Sequence, residues 1–343
     1  MSSFKLVMIA ILSVFLISCD NDENIIFDNS VNIEFSIPPI DLNGIQANFA
    51  ENISYGEFTE NVFDIFLPVS DTPTTLVIYI HGGGFVSCAK EYVYSTQKDG
   101  LWDFPEEIRT FLSNNIAYAT INYRLFEAEE NVGVIKPLTD CKRCLQYIRS
   151  ISDQLNIDKE KIVLSGNSAG AGTSLWLAFN DDMADISNTD PVLKESTRAL
   201  GVAVRETQAT YDLERWETDV FIDYNFSLED TVNLYPSVAQ RINSFYGITD
   251  FDFFYSPEIV SYRNDVDMLD LMSSDDPEIW VNNTLRDVVP PTTIELLNHH
   301  PYHARELKEQ ADFIGIPNVA YYVTYSDPSG EDFVSFLIRK LGE

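Results

Sequence analysis

The sequence predicts an α/β fold: a mostly parallel central sheet with helices on both faces and an inserted lid-like segment. Two observations carry this. Strand-like apolar runs alternate with amphipathic stretches along most of the chain, and such alternation favours parallel strands joined by helical crossovers. With 343 residues, 45% of them hydrophobic, the chain can also bury one large core. The strand candidates are VFDIFLP (62–68), TLVIYIHG (75–82), IAYATINYR (116–124), KIVLSGN (161–167), ALGVAVRE (199–206), EIWVNN (278–283) and NVAYYVTYS (318–326). Helices are expected over 138–155, 168–180, 301–314 and 330–341.

The segment 207–275 breaks this rhythm. It is rich in Tyr, Phe and Asp and lies between two core strands, so it reads as an insertion over the strand ends, serving as a lid, a pocket wall or a surface elaboration with its own small aromatic core. The domain is expected to span 41–343.

The N-terminus has a different character. Lys5 precedes an apolar stretch from Leu6 to Ile17, too short to span a membrane comfortably and flanked like an export signal. Its LISC ending resembles a bacterial lipobox. That resemblance implies a signal peptide over 1–18, lipid attachment at Cys19 and a polar tether over 19–40 that holds the domain to the cell envelope of a Gram-negative bacterium. The acidic residues after the cysteine are similar to a surface-export signal of Bacteroidetes lipoproteins.

Twenty-two basic against 54 acidic residues give a net charge of −32, which argues against nucleic acid as a partner because phosphate binding needs a Lys/Arg surface. Cys88, Cys141 and Cys144 are odd in number and have no Cys/His pair beside them, so neither a disulfide framework nor a zinc site is expected. No metal or organic cofactor is implied.

Chemistry enters at KIVLSGNSAGAGTSLWLAF, where a strand meets a helix in a Gly-x-Ser-x-Gly turn. The turn is sharp enough to leave little room for a Cβ, and it pushes Ser168 out beside the free N–H groups of a helix start. Upstream, YIHGGGF (79–85) follows a strand; three glycines let the main chain close on a ligand with its N–H groups inward. The lysine of a phosphate loop and the spacing of a dinucleotide loop are both missing.

HGGGF, NYRL (122–125) and GNSAG, in that order, resemble the α/β-hydrolase fold, in particular esterases and lipases similar to hormone-sensitive lipase, over roughly residues 60–343. The resemblance implies Ser168 as nucleophile and the N–H groups of Gly83, Gly84 and Ala169 as oxyanion hole, with His81 shaping the loop. The chain departs from the pattern in two places. At the position of the usual acid, NNTLRDVVPP places Arg286, with Asp287 one step late, and the turn after the last strand, SDPSGEDF, holds no histidine. A base must therefore come from His299, His300 or His303; His300, beside the N1 proline Pro301, is the choice, with Asp287 as its acid.

Two functions follow. One is a serine ester hydrolase that acts through an acyl-enzyme on a short acyl ester or an acylated sugar. The other is a pseudo-hydrolase that keeps the pocket and binds a ligand at the cell surface. An imidazole nitrogen within about 3–4 Å of the Ser168 hydroxyl separates them.

Overall fold

The structure is a computed structural model and describes residues 33–96, 102–234 and 236–343. The expected signal peptide, Cys19 and most of the tether lie outside the described residues. The last part of the expected tether does not hang free: Ser36 N–H donates to Phe49 O at 2.8 Å and Ile40 is buried, so the chain is docked on the domain before residue 41.

Among the described residues, nine strands form one sheet: β1 (Ala47–Ser54), β2 (Val62–Pro68), β3 (Thr74–Ile80), β4 (Ile116–Ile121), β5 (Ile157–Asn167), β6 (Gly201–Arg205), β7 (Glu278–Asn283), β8 (Asn318–Tyr322) and β9 (Tyr325–Ser326). Their spatial order is β1-β2-β4-β3-β5-β6-β7-β8-β9. Pairing is parallel from β4 through β8 and antiparallel at the two margins. The run at 318–326 is two strands of a tight hairpin rather than one, and β1 is an edge strand absent from the expected set.

Alternation along the strands splits the core into two layers, since successive side chains leave a strand on opposite faces. Val77, Tyr79, Tyr118, Val163 and Trp280 pack on one side with Phe104, Phe111, Phe336 and Leu337. Leu76, Ile78, Ile80, Leu164 and Val204 pack on the other with Leu138, Leu145 and Leu175. The covering helices start where local chemistry starts them. Asp103 caps the helix Phe104–Ser113 by accepting from Glu106 N–H at 3.2 Å, and Asp332 caps Phe333–Gly342 by accepting from Val334 and Ser335 N–H at 3.0 Å each. Cys141 and Cys144 are free thiols buried in the helix Ile135–Ser150.

Between β6 and β7 the chain leaves the sheet for some 70 residues and returns after several short helices, including Pro236–Tyr246 and Pro257–Asp265. Among the described residues no helix is long and apolar enough to cross a membrane.

Candidate active site

β5 ends at Asn167 and the helix Ala169–Phe179 begins two residues later, so Ser168 alone makes the turn, with φ +51° and ψ −121°. A positive φ is strained for a non-glycine residue and persists only where surroundings enforce it. Here Ser168 N–H donates to Arg205 O on β6 at 3.1 Å, and Ser168 O accepts from Gly172 N–H at 3.1 Å. Close packing supplies the rest. A Cβ on Gly170 would lie 2.0 Å from Ile80 O, and one on Gly166 would lie 2.6 Å from Gly170 C, so the helix can approach β3 only with glycine at both places.

The triple-glycine loop leaves the same sheet edge after β3. Asn167 Oδ1 accepts from Gly82 N–H at 3.1 Å and from the Tyr79 hydroxyl at 2.6 Å, which ties the loop to the turn that carries Ser168. Gly83 has φ +95°, and its carbonyl accepts from Val86 N–H and the Ser87 hydroxyl. Among the described residues, no acceptor takes the N–H groups of Gly83, Gly84 or Ala169. His81 is buried, stacks on Tyr123 with centroids 4.3 Å apart and bonds Gly82 O through Nδ1; it belongs to the loop's frame.

His299 is the imidazole that reaches the serine: its Nε2 lies 2.8 Å from Ser168 Oγ. The choice of His300 is therefore corrected. His300 caps the helix Pro301–Ile314, with Nδ1 accepting from Tyr302 N–H at 3.2 Å and Nε2–H donating to Val289 O at 2.7 Å. His303 is likewise occupied: Nδ1 accepts from Ala209 N–H at 3.1 Å and Nε2–H donates to Leu297 O at 2.9 Å. Burial and the nearby Arg286 guanidinium lower the pKa of His299 to about 4, so its imidazole is neutral and able to accept a proton at neutral pH.

Asp287 does not meet any of these rings. It is exposed, and its carboxylate takes no hydrogen bond or ion pair among the described residues. Its neighbour Arg286 pairs with Glu295.

A different carboxylate, absent from the sequence reading, is buried at the same edge. Glu206 directly follows β6, has φ +52° and is 4% exposed. Oε1 accepts from Leu285 N–H at 3.3 Å, while among the described residues Oε2 has no partner, and neither has His299 Nδ1. Hydrogen bonds join the two segments that carry these unpaired atoms: Gln208 Nε2 donates to Asn298 O at 2.8 Å, and Asn283 Nδ2 donates to Thr207 O at 2.9 Å and to His300 O at 3.2 Å. Burial raises the Glu206 pKa to about 7 against the opposing pull of Arg286. The signal was a charged residue where an apolar strand ends at the carboxyl edge, the place where open α/β sheets collect ligands.

Beside Ser168 lies a cavity of about 80 Å³, lined by Phe85, Tyr211, Trp216, Ile242, Phe245 and Leu297 among others. Much of its wall comes from residues 208–245, within the excursion between β6 and β7.

This sheet order, the strained serine turn and the adjoining imidazole define an α/β-hydrolase of the esterase/lipase type. The BD-FAE family model matches residues 63–280, and the chain belongs to that family. Among solved structures the chain is similar to a truncated carbohydrate esterase from gut microbiota, at 16% identity and TM-score 0.55 over 86% of this chain and 96% of that one. It is also similar to an acetyl ester-xyloside bifunctional hydrolase from Caldicellulosiruptor lactoaceticus, at 18% identity and TM-score 0.54 over 89% and 90%. A third is esterase B from Lactobacillus rhamnosis, at 12% identity and TM-score 0.54 over 86% and 85%. At these identities the likeness is one of fold. No curated protein matches the sequence.

Proposed function

We propose that the protein is a serine carboxylic-ester hydrolase acting on short acyl esters, with acylated sugars as the substrate class. The 2.8 Å approach of His299 Nε2 to a serine held at positive φ carries this reading. With the Nδ1–H tautomer, His299 takes the Ser168 proton as Oγ attacks the ester carbonyl. The oxygen that becomes negative is met by the N–H groups of Gly83, Gly84 and Ala169. His299 then gives its proton to the departing alkoxide; water, deprotonated by the same imidazole, attacks the acyl-enzyme, and the imidazolium returns that proton to Ser168 Oγ as the acid is released. Glu206 takes the part first given to Asp287: ionised, it stabilises the imidazolium that forms on His299. Resting catalytic hydrogen bonds are often long, so its unpaired Oε2 fits this role.

The substrate class is supported by the names of two carbohydrate-active fold neighbours and by the small apolar cavity, which suits a short acyl group. Anchoring in the cell envelope through a lipid on Cys19 completes the proposal, on the strength of the LISC sequence alone.

The test is turnover of an aryl acetate and labelling by a fluorophosphonate, on wild type and Ser168→Ala. Labelling that survives the substitution removes the serine. Equal labelling and turnover by a His299→Ala protein removes the base. For the anchor, membrane partition of the full chain is compared with Cys19→Ser; equal partition removes it.

A further inference from the structure

Among the described residues, the wall of the cavity beside Ser168 has one charged side chain, Arg241, and no carboxylate. Arg241 sits on the helix Pro236–Tyr246 on the same face as Val238, Ile242 and Phe245, which also line the cavity, so a cation interrupts an otherwise apolar stripe. Nη2 donates to Gly84 O at 2.5 Å, which puts the guanidinium against the triple-glycine loop.

The other eleven of the chain's twelve arginines each come within 4.0 Å of a carboxylate. Arg241 has no such partner among the described residues, and burial alone lowers its pKa. A protein with 54 acidic residues has every opportunity to pair it. A half-buried guanidinium without a counter-charge is costly, and its planar fork matches a carboxylate in two parallel hydrogen bonds.

We propose that Arg241 is a specificity-determining residue and that the preferred substrates are esters bearing a carboxylate, which it binds in the cavity. This rests on the ester-hydrolase reading of Ser168. The net charge of −32 does not oppose it. Surface carboxylates more than about 8 Å away are largely screened at physiological salt, while a cation in the cavity wall acts on the ligand at contact. The carboxylate can lie on either side of the scissile bond: on the alcohol, as in an acetylated hexuronate, or on the acyl group, as in a hemisuccinate.

Two matched pairs test this: an acetylated hexuronate against the acetylated hexose, and an aryl hemisuccinate against the aryl butyrate. Wild type is expected to favour the anionic member of one pair by about tenfold or more in kcat/KM, a charge-assisted pair being worth that much. Which pair shows it identifies the side that faces Arg241. Arg241→Gln, polar but uncharged, should abolish the preference, and Arg241→Lys should keep part of it. A purely structural role would lower both members equally. That result, or no preference by wild type in either pair, overturns the proposal. Calorimetric binding of the two anionic esters to Ser168→Ala needs no turnover. Binding that depends on Arg241, with no hydrolysis by wild type, would sink the esterase reading and leave only carboxylate binding by Arg241; hydrolysis without preference would overturn the specificity proposal and keep the esterase reading.

Discussion

Ser168 Oγ and His299 Nε2 lie 2.8 Å apart although 131 residues separate them in the chain. Replacing Ser168 by Ala is expected to end fluorophosphonate labelling and to lower kcat/KM by roughly 10⁴-fold or more. The residual rate is the one expected from the proposed oxyanion donors. Far-UV circular dichroism should be unchanged, because the Ser168 contacts that hold the turn are made by the backbone.

The three clustered histidines separate by kinetics. His299→Ala should cost on the order of 10⁴-fold in kcat/KM. His300→Ala loses a cap and a bond to Val289 O, so it should cost about 1–2 kcal/mol of stability, read as a lower Tm, with kcat/KM within a few-fold. A comparable loss of rate in both variants would remove His299 as the base.

Glu206 sets the expected acid limb of activity. Its pKa is raised to about 7 by burial, so it is protonated below that value and kcat/KM should rise with pH through about 7. Glu206→Gln should lower kcat/KM and remove that limb. Asp287→Asn should leave the profile as it is. Stability runs the other way: the folded state holds the Glu206 proton up to about 7 while the unfolded chain loses it near 4.5, so this residue alone makes stability fall as pH rises through that window.

His303 carries the opposite sign. Burial lowers its pKa to about 3, and Nδ1 must stay unprotonated to accept from Ala209 N–H. Its stabilising contribution is full above the unfolded value of 6.5 and is lost as pH falls from there towards about 3. Thermal unfolding of His303→Gln should show a lower Tm at pH 7 and a shallower decline between pH 6.5 and 4. A decline as steep as that of wild type would contradict this.

The elbow's packing is testable by one methyl group. Gly170→Ala places a Cβ 2.0 Å from Ile80 O, a backbone atom that cannot step aside. A cost of about 3 kcal/mol is expected, seen as a Tm several degrees lower.

Much of the fold is written locally. Apolar runs bounded by turns gave β2 and β7 at their full extent, because burial on both faces makes most of their positions apolar; Asp64, the polar exception inside β2, is paired with Lys90 at 2.8 Å. The serine turn and the triple-glycine loop are equally local, since both follow from backbone sterics over five or six residues. β1 carries polar residues at Asn48, Glu51, Asn52 and Ser54, and an irregularity in its register between Ala50 and Ile53 breaks the period of two, so it gives little signal.

Which histidine lies against Ser168 is decided by tertiary structure alone. His299 ends one helix with ψ 23° and His300 opens the next with ψ 142°, so neighbouring rings leave the backbone in different directions and only the first reaches the serine. The buried Glu206 carboxylate, with one oxygen lacking a partner among the described residues, and the Arg241 guanidinium, which has no carboxylate beside it there, belong to the same category. A side chain's partner, or lack of one, depends on segments 80 to 160 residues away, and one sequence read along its length records neighbours in the chain rather than neighbours in space.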